Sequence, residues 1–82
     1  MKVMVTTTGI LDEYLPPGSS VPAEIGIKQG ATPVDVIRIL GMPEEGRYLV
    51  SVNGAIVRRA DQAEFILSDN DDLAIMPPLK GG

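Results

Sequence analysis

One stretch of this chain carries both the start and the stop signals of an α-helix, and it is short. Thr32 is a favourable N-cap, Pro33 occupies the preferred first helical position, and Asp35 three residues after the cap completes a capping-box start. Gly41 supplies the left-handed position that ends a helix, and Pro43 prevents it from resuming. Between these signals Pro33, Val34, Val36, Ile37 and Leu40 share one arc, Asp35 and Arg38 lie opposite, and Ile39 falls on the polar side. The spacing predicts a helix over Pro33–Leu40. So short a helix cannot bury its apolar arc alone and must lie on a sheet.

The rest of the chain supplies the sheet. Lys2–Ile10 alternates, with Val3, Val5 and Thr7 on one face and Met4, Thr6 and Thr8 on the other. A short helical turn is expected at Leu11–Leu15, stopped by Pro16, Pro17 and Gly18. Ala23–Gln29 alternates again through Ile25 and Ile27 and is expected to pair antiparallel with the first strand. Tyr48–Asn53 places Tyr48, Val50 and Val52 on one face, and Asn53-Gly54 is the preferred pair for a type I′ turn into Ala55–Val57. Gln62–Leu67, carrying Phe65, Ile66 and Leu67, is expected to plug one end of the core on a short helical turn, and Ser68–Asp71 reads as a turn. Asp72–Met76 is the last strand, closed by Pro77 and Pro78, which cannot donate to a ladder.

One helix across one face of a mixed sheet of four to five strands is an α+β, two-layer solution. With the first and last strands paired in parallel at the centre, it is the β-grasp, or ubiquitin-like, fold. The expected core is Val3, Val5, Ile25, Ile27, Val36, Ile37, Leu40, Val50, Val52, Phe65, Leu73 and Ile75. Residues 1–78 are expected to form this domain, and 79–82 a flexible Gly-Gly tail.

The 82 residues contain neither cysteine nor histidine. Their absence excludes thiol nucleophiles, disulfides, zinc fingers and iron–sulfur clusters, and with them histidine-dependent triads. A formal net charge of −4 argues against nucleic acid and anionic membrane surfaces as partners. No apolar run approaches a membrane span, and the start of the chain alternates as a strand rather than as a signal peptide. The expectation is a cytoplasmic protein, not an enzyme by itself, with no metal and no bound cofactor.

The chemistry is concentrated in Pro77, Pro78, Leu79, Lys80, Gly81 and Gly82. Two prolines stiffen the exit from the sheet, and two glycines without Cβ let the backbone enter a crevice too narrow for side chains. Such a tail suits the presentation of the Gly82 α-carboxylate inside a partner's active site. There the carboxylate can attack the α-phosphate of ATP, and sulfur can open the resulting acyl-adenylate. Met76 and Leu79 beside the tail are candidates for a recognition patch.

The stretch from Asp71 to Gly82, DDLAIMPPLKGG, resembles the C-terminal signature of the small subunit of molybdopterin synthase. Val52-Asn53-Gly54 is similar to a hairpin shared by that family and the thiamine-biosynthesis sulfur carrier, and a Leu-x-Glu element stands at Leu11–Glu13. The double proline before x-x-Gly-Gly favours the molybdopterin side. The resemblance implies adenylation of Gly82 by a ubiquitin-activating-type enzyme using ATP, then a thiocarboxylate made with a sulfur-transfer enzyme. Sulfur then passes to a precursor held by a larger synthase subunit. Met76, Pro77, Pro78, Leu79, Lys80 and Gly81 would make the partner contacts. Thr6-Thr7-Thr8 and Leu79-Lys80 depart from the usual pattern.

Three other functions fit the residues: a thiamine-biosynthesis carrier, a modifier joined to proteins through Gly82, and a β-grasp binding module with incidental glycines. Asp69, Asp71 and Asp72 have the flavour of a calcium loop, but the twelfth position from Asp69 is Lys80 rather than glutamate, so a solvated turn accounts for them better.

Overall fold

The computed structural model describes residues 1–43 and 46–78. Its strands are β1 (Lys2–Thr7), β2 (Ala23–Gly26), β3 (Leu49–Val52), β4 (Ala55–Val57) and β5 (Asp72–Met76), with one α-helix, α1 (Pro33–Ile39). They form one mixed sheet in the order β2-β1-β5-β3-β4. β1 and β5 pair in parallel at the centre, with Val5 opposite Leu73 and Thr7 opposite Ile75. All other pairings are antiparallel. This is the β-grasp arrangement.

The helix forms as its caps dictate. The Asp35 N–H donates to the Thr32 hydroxyl, the Thr32 N–H donates to the Asp35 carboxylate at 2.9 Å, and Gly41 takes φ +78° after the C-cap Leu40. Val36 and Ile37 are buried against Val3, Val5, Ile25, Val50, Val52, Leu73 and Ile75, while Ile39 is exposed. The hairpin turn has positive φ at both Asn53 (+51°) and Gly54 (+86°), the requirement of a type I′ turn. Asn70 also takes positive φ in the turn before β5.

Several expectations need correction. β1 ends at Thr7, because Gly9 takes positive φ and starts a 3-10 turn over Gly9–Tyr14. β2 stops at Gly26, although the Ile27 N–H still donates to the Met1 carbonyl at 2.8 Å. The helical turn expected at Gln62–Leu67 lies upstream, at Arg59–Asp61. Phe65 is not a core residue: it is 37% exposed, and Leu67 is buried in its stead at 2%, its N–H donating to the Ala31 carbonyl. Leu40 packs on the core from its rim. The side-chain amide of buried Gln62 donates to the main-chain carbonyls of Tyr48 and Val57, both at 3.3 Å, which fixes this connection against β3 and β4.

Candidate functional site

β5 is flanked by a strand on both sides, so its direction is set by two ladders rather than one. Leu73 and Ile75 point toward α1 and are buried, while Ala74 and Met76 alternate onto the opposite face and are half-buried. Met76 stands opposite Leu49 at the end of the β3 ladder. Pro77 is half-buried and Pro78 exposed. Neither proline has an N–H to extend the ladder, so the chain leaves the sheet at Met76.

The neighbouring strand is pinned at the same end. Thr7, opposite Ile75, is buried, and its hydroxyl donates to the Asp12 carboxylate in the following 3-10 turn. Leu11 of that turn is buried in the core. The exit of the chain from β5 therefore lies beside a corner tied by the Thr7–Asp12 hydrogen bond and the buried Leu11.

The sheet face away from α1 is open. Thr6, Ala74, Ser51 and Ile56 form one row across β1, β5, β3 and β4. Met4, Leu49 and Met76 extend it along the strands. All are half-buried except Ile56, which is 66% exposed. The strip from Thr6 through Ala74 and Ser51 to Ile56 and Met76 carries no charge and leads directly to the exit at Met76, while Lys2, Glu24 and Asp72 place charges on the same face at its far end. Among the described residues no cluster of acidic side chains could hold a metal ion, and no helix is long and apolar enough to cross a membrane.

Of the residues picked out in the sequence, Met76, Pro77 and Pro78 lie together at the end of β5. Leu79, Lys80, Gly81 and Gly82, with the tail expectation that rests on them, lie outside the described residues. Sequence reasoning gave no functional role to Met4, Thr6, Leu49, Ser51, Ala74 and Ile56. Their signal was present as the second phase of the strand alternation, whose first phase marked the core.

The family model that matches this chain is described as the ThiS family and covers residues 15–82. The chain belongs to the ThiS family. This membership makes it a ubiquitin-like sulfur carrier. Solved structures similar to this ThiS-family chain share its fold. SAMP1 from Haloferax volcanii is 18% identical at a TM-score of 0.66, covering 100% of both chains. Urm1 from Trypanosoma brucei is 14% identical at 0.65, covering 99% of this chain and 95% of that one. A chain in the complex of subunits 1 and 2 of molybdopterin-converting factor from Helicobacter pylori 26695 is 22% identical at 0.55, with 100% of both covered. No curated protein matches the sequence significantly.

Proposed function

We propose that the protein carries sulfur as a thiocarboxylate on Gly82 and donates it in the biosynthesis of a molybdopterin-type cofactor. In this reading a ubiquitin-activating-type enzyme holds ATP against the Gly82 carboxylate. A carboxylate oxygen attacks the α-phosphate and pyrophosphate leaves. Sulfide, delivered by a sulfur-transfer enzyme, then attacks the acyl carbon of the adenylate, AMP leaves, and the thiocarboxylate remains. A larger synthase subunit receives the loaded tail, and its precursor takes the sulfur.

The observation that carries this proposal is the placement of β5 in a ThiS-family fold. The central strand ends at Met76, and Pro77 and Pro78 follow it out of the sheet, Pro78 standing four positions before Gly82. The open face around Ala74 and Met76 offers an apolar surface continuous with that exit. The similarity to a chain of the two-subunit molybdopterin-converting factor complex supports a larger synthase subunit as a partner. Pro77-Pro78 ahead of the glycines favours the molybdopterin route over thiamine.

Intact-mass spectrometry tests the first half. Incubation with a cognate activating enzyme, ATP and a sulfide source should raise the mass by the difference between a sulfur and an oxygen atom. An unchanged mass, with the enzyme shown active on another carrier, would remove the proposal. Sulfur transfer from the loaded protein to a molybdopterin precursor in the presence of a larger synthase subunit tests the second half.

A further inference from the structure

The sheet has a free edge at β2, remote from the Met76 exit by two strands. The Ile27 N–H donates to the Met1 carbonyl, which identifies that pair as hydrogen-bonded in the β1–β2 ladder. Antiparallel pairs alternate, and the register sets Val3 opposite Ile25, Lys2 opposite Gly26 and Met4 opposite Glu24. Val3 and Ile25 are therefore also hydrogen-bonded, while Glu24 and Gly26 turn their N–H and carbonyl groups away from β1. The same alternation turns the Lys28 N–H outward. Gly26 itself adds no side chain between the exposed Glu24 and Lys28 on this edge.

The sequence of this edge, Glu24-Ile25-Gly26-Ile27-Lys28, is complementary to itself when reversed. Two copies placed antiparallel about Gly26 set Gly26 against Gly26, Ile25 against Ile27, and Glu24 against Lys28 at both ends. The side chains of Glu24 and Lys28 lie on the sheet face away from α1, since Ala23, Ile25 and Ile27 are buried on the other. Glu24 is already paired on its own chain with Lys2, at 3.0 Å. In the pair of copies it would stand between Lys2 and Lys28 of the second copy. Parallel alignment would instead set Glu24 beside Glu24, an unfavourable like-charge contact. A two-fold axis perpendicular to the sheet keeps both helices on one side, where Ile39 of α1, 56% exposed, flanks the same edge.

We infer that the protein self-associates through β2 into a two-fold dimer with one sheet continuous across Gly26. The ladder is short, because the Lys28 carbonyl already accepts from the Ala31 N–H at 3.1 Å. The dimer is accordingly weak and concentration-dependent. It leaves β5, the open face and Pro78 on each copy unobstructed, so two carriers are presented at once. A foreign strand would have to bring the matching charges, whereas this one already carries both. The inference stands apart from the proposed sulfur chemistry.

Sedimentation velocity from about 10 μM to about 1 mM spans the range that a small interface supports. The wild-type mass should rise from monomer toward dimer across this series. Glu24→Lys alone and Lys28→Glu alone should each stay monomeric, through like charges at both ends. An equal mixture of the two variants should associate again, because opposite charges then meet at both ends. Both side chains are exposed, so matching thermal melts should show both variants folded. In the mixture, NMR shifts of an isotopically labelled partner should centre on residues 24–28.

A wild-type protein that stays monomeric throughout would overturn the inference. So would single variants that associate as well as wild type, a mixture that fails to recover, or shifts centred on Met4, Ala74 and Met76. A monomer whose residues 24–28 respond only to a synthetic strand peptide of alternating valine and threonine would replace self-pairing by capture of a foreign strand.

Discussion

Thr7 donates its hydroxyl hydrogen to the carboxylate of Asp12, tying the last residue of β1 to the 3-10 turn that follows it. Thr7 is 4% exposed and lies opposite Ile75, the penultimate residue of β5. Thr7→Val keeps the shape and removes the donor, so it should cost about 1 kcal/mol. For a domain of this size that is a fall in Tm of roughly 4–8 °C, measurable by thermal denaturation. A variant melting with wild type would show that this contact does not brace the corner.

The core is tested by three side chains of different burial. Ile37→Ala and Leu67→Ala remove residues that are 4% and 2% exposed, and each should cost about 2–5 kcal/mol. Phe65→Ala, at a side chain 37% exposed, should cost less than either despite the larger ring. Urea denaturation of the three variants checks the order. Phe65→Ala falling as far as Leu67→Ala would contradict the packing.

The type I′ turn makes a backbone prediction. Gly54 has φ +86° and open space around its Cβ position, so the difficulty of substitution is conformational rather than steric. Gly54→Val should lose about 1–3 kcal/mol, and Gly54→Asn clearly less, because asparagine tolerates positive φ. Equal losses in denaturant titrations would point to something other than backbone strain.

The proposed chemistry is sharpest at Gly82. Deleting it, or adding a residue beyond it, displaces the reacting carboxylate by about 3.3 Å, far more than catalytic alignment tolerates. Adenylation, followed by pyrophosphate release with a cognate activating enzyme, should be abolished while the Tm stays unchanged. Gly82→Ala should be slower but measurable, and Lys80→Ala nearly normal. Met76→Asp, on the open face, should weaken engagement of the enzyme without altering the terminal group. Continued adenylation of the truncated chain would sink the carrier reading.

Much of the architecture was written in local signals. Thr32, Asp35 and Gly41 fix the helix because capping involves hydrogen bonds and φ values within a few residues. Asn53-Gly54 fixes its hairpin for the same reason, and Pro77-Pro78 mark the end of β5 because neither can donate a ladder hydrogen bond. The alternation in β1, β3 and β5 specified which side chains face the helix, since a strand has only two faces.

What the tertiary structure decided are matters that no local signal contains. Phe65 and Leu67 are both apolar and two residues apart, and only the Leu67 N–H bond to Ala31 shows which of them enters the core. The early end of β1 depends on a positive φ at Gly9 that the alternation through Ile10 conceals. The open face from Thr6 to Ile56 is assembled from β1, β5 and the β3–β4 hairpin, drawn from separate parts of the sequence, so its continuity exists only once β5 lies between β1 and β3. The free edge at Glu24–Lys28 likewise emerges from strand order, because pairing with β1 uses one side of β2 and leaves the other unpaired. Local chemistry selected the elements, and long-range pairing decided which of their surfaces remained available.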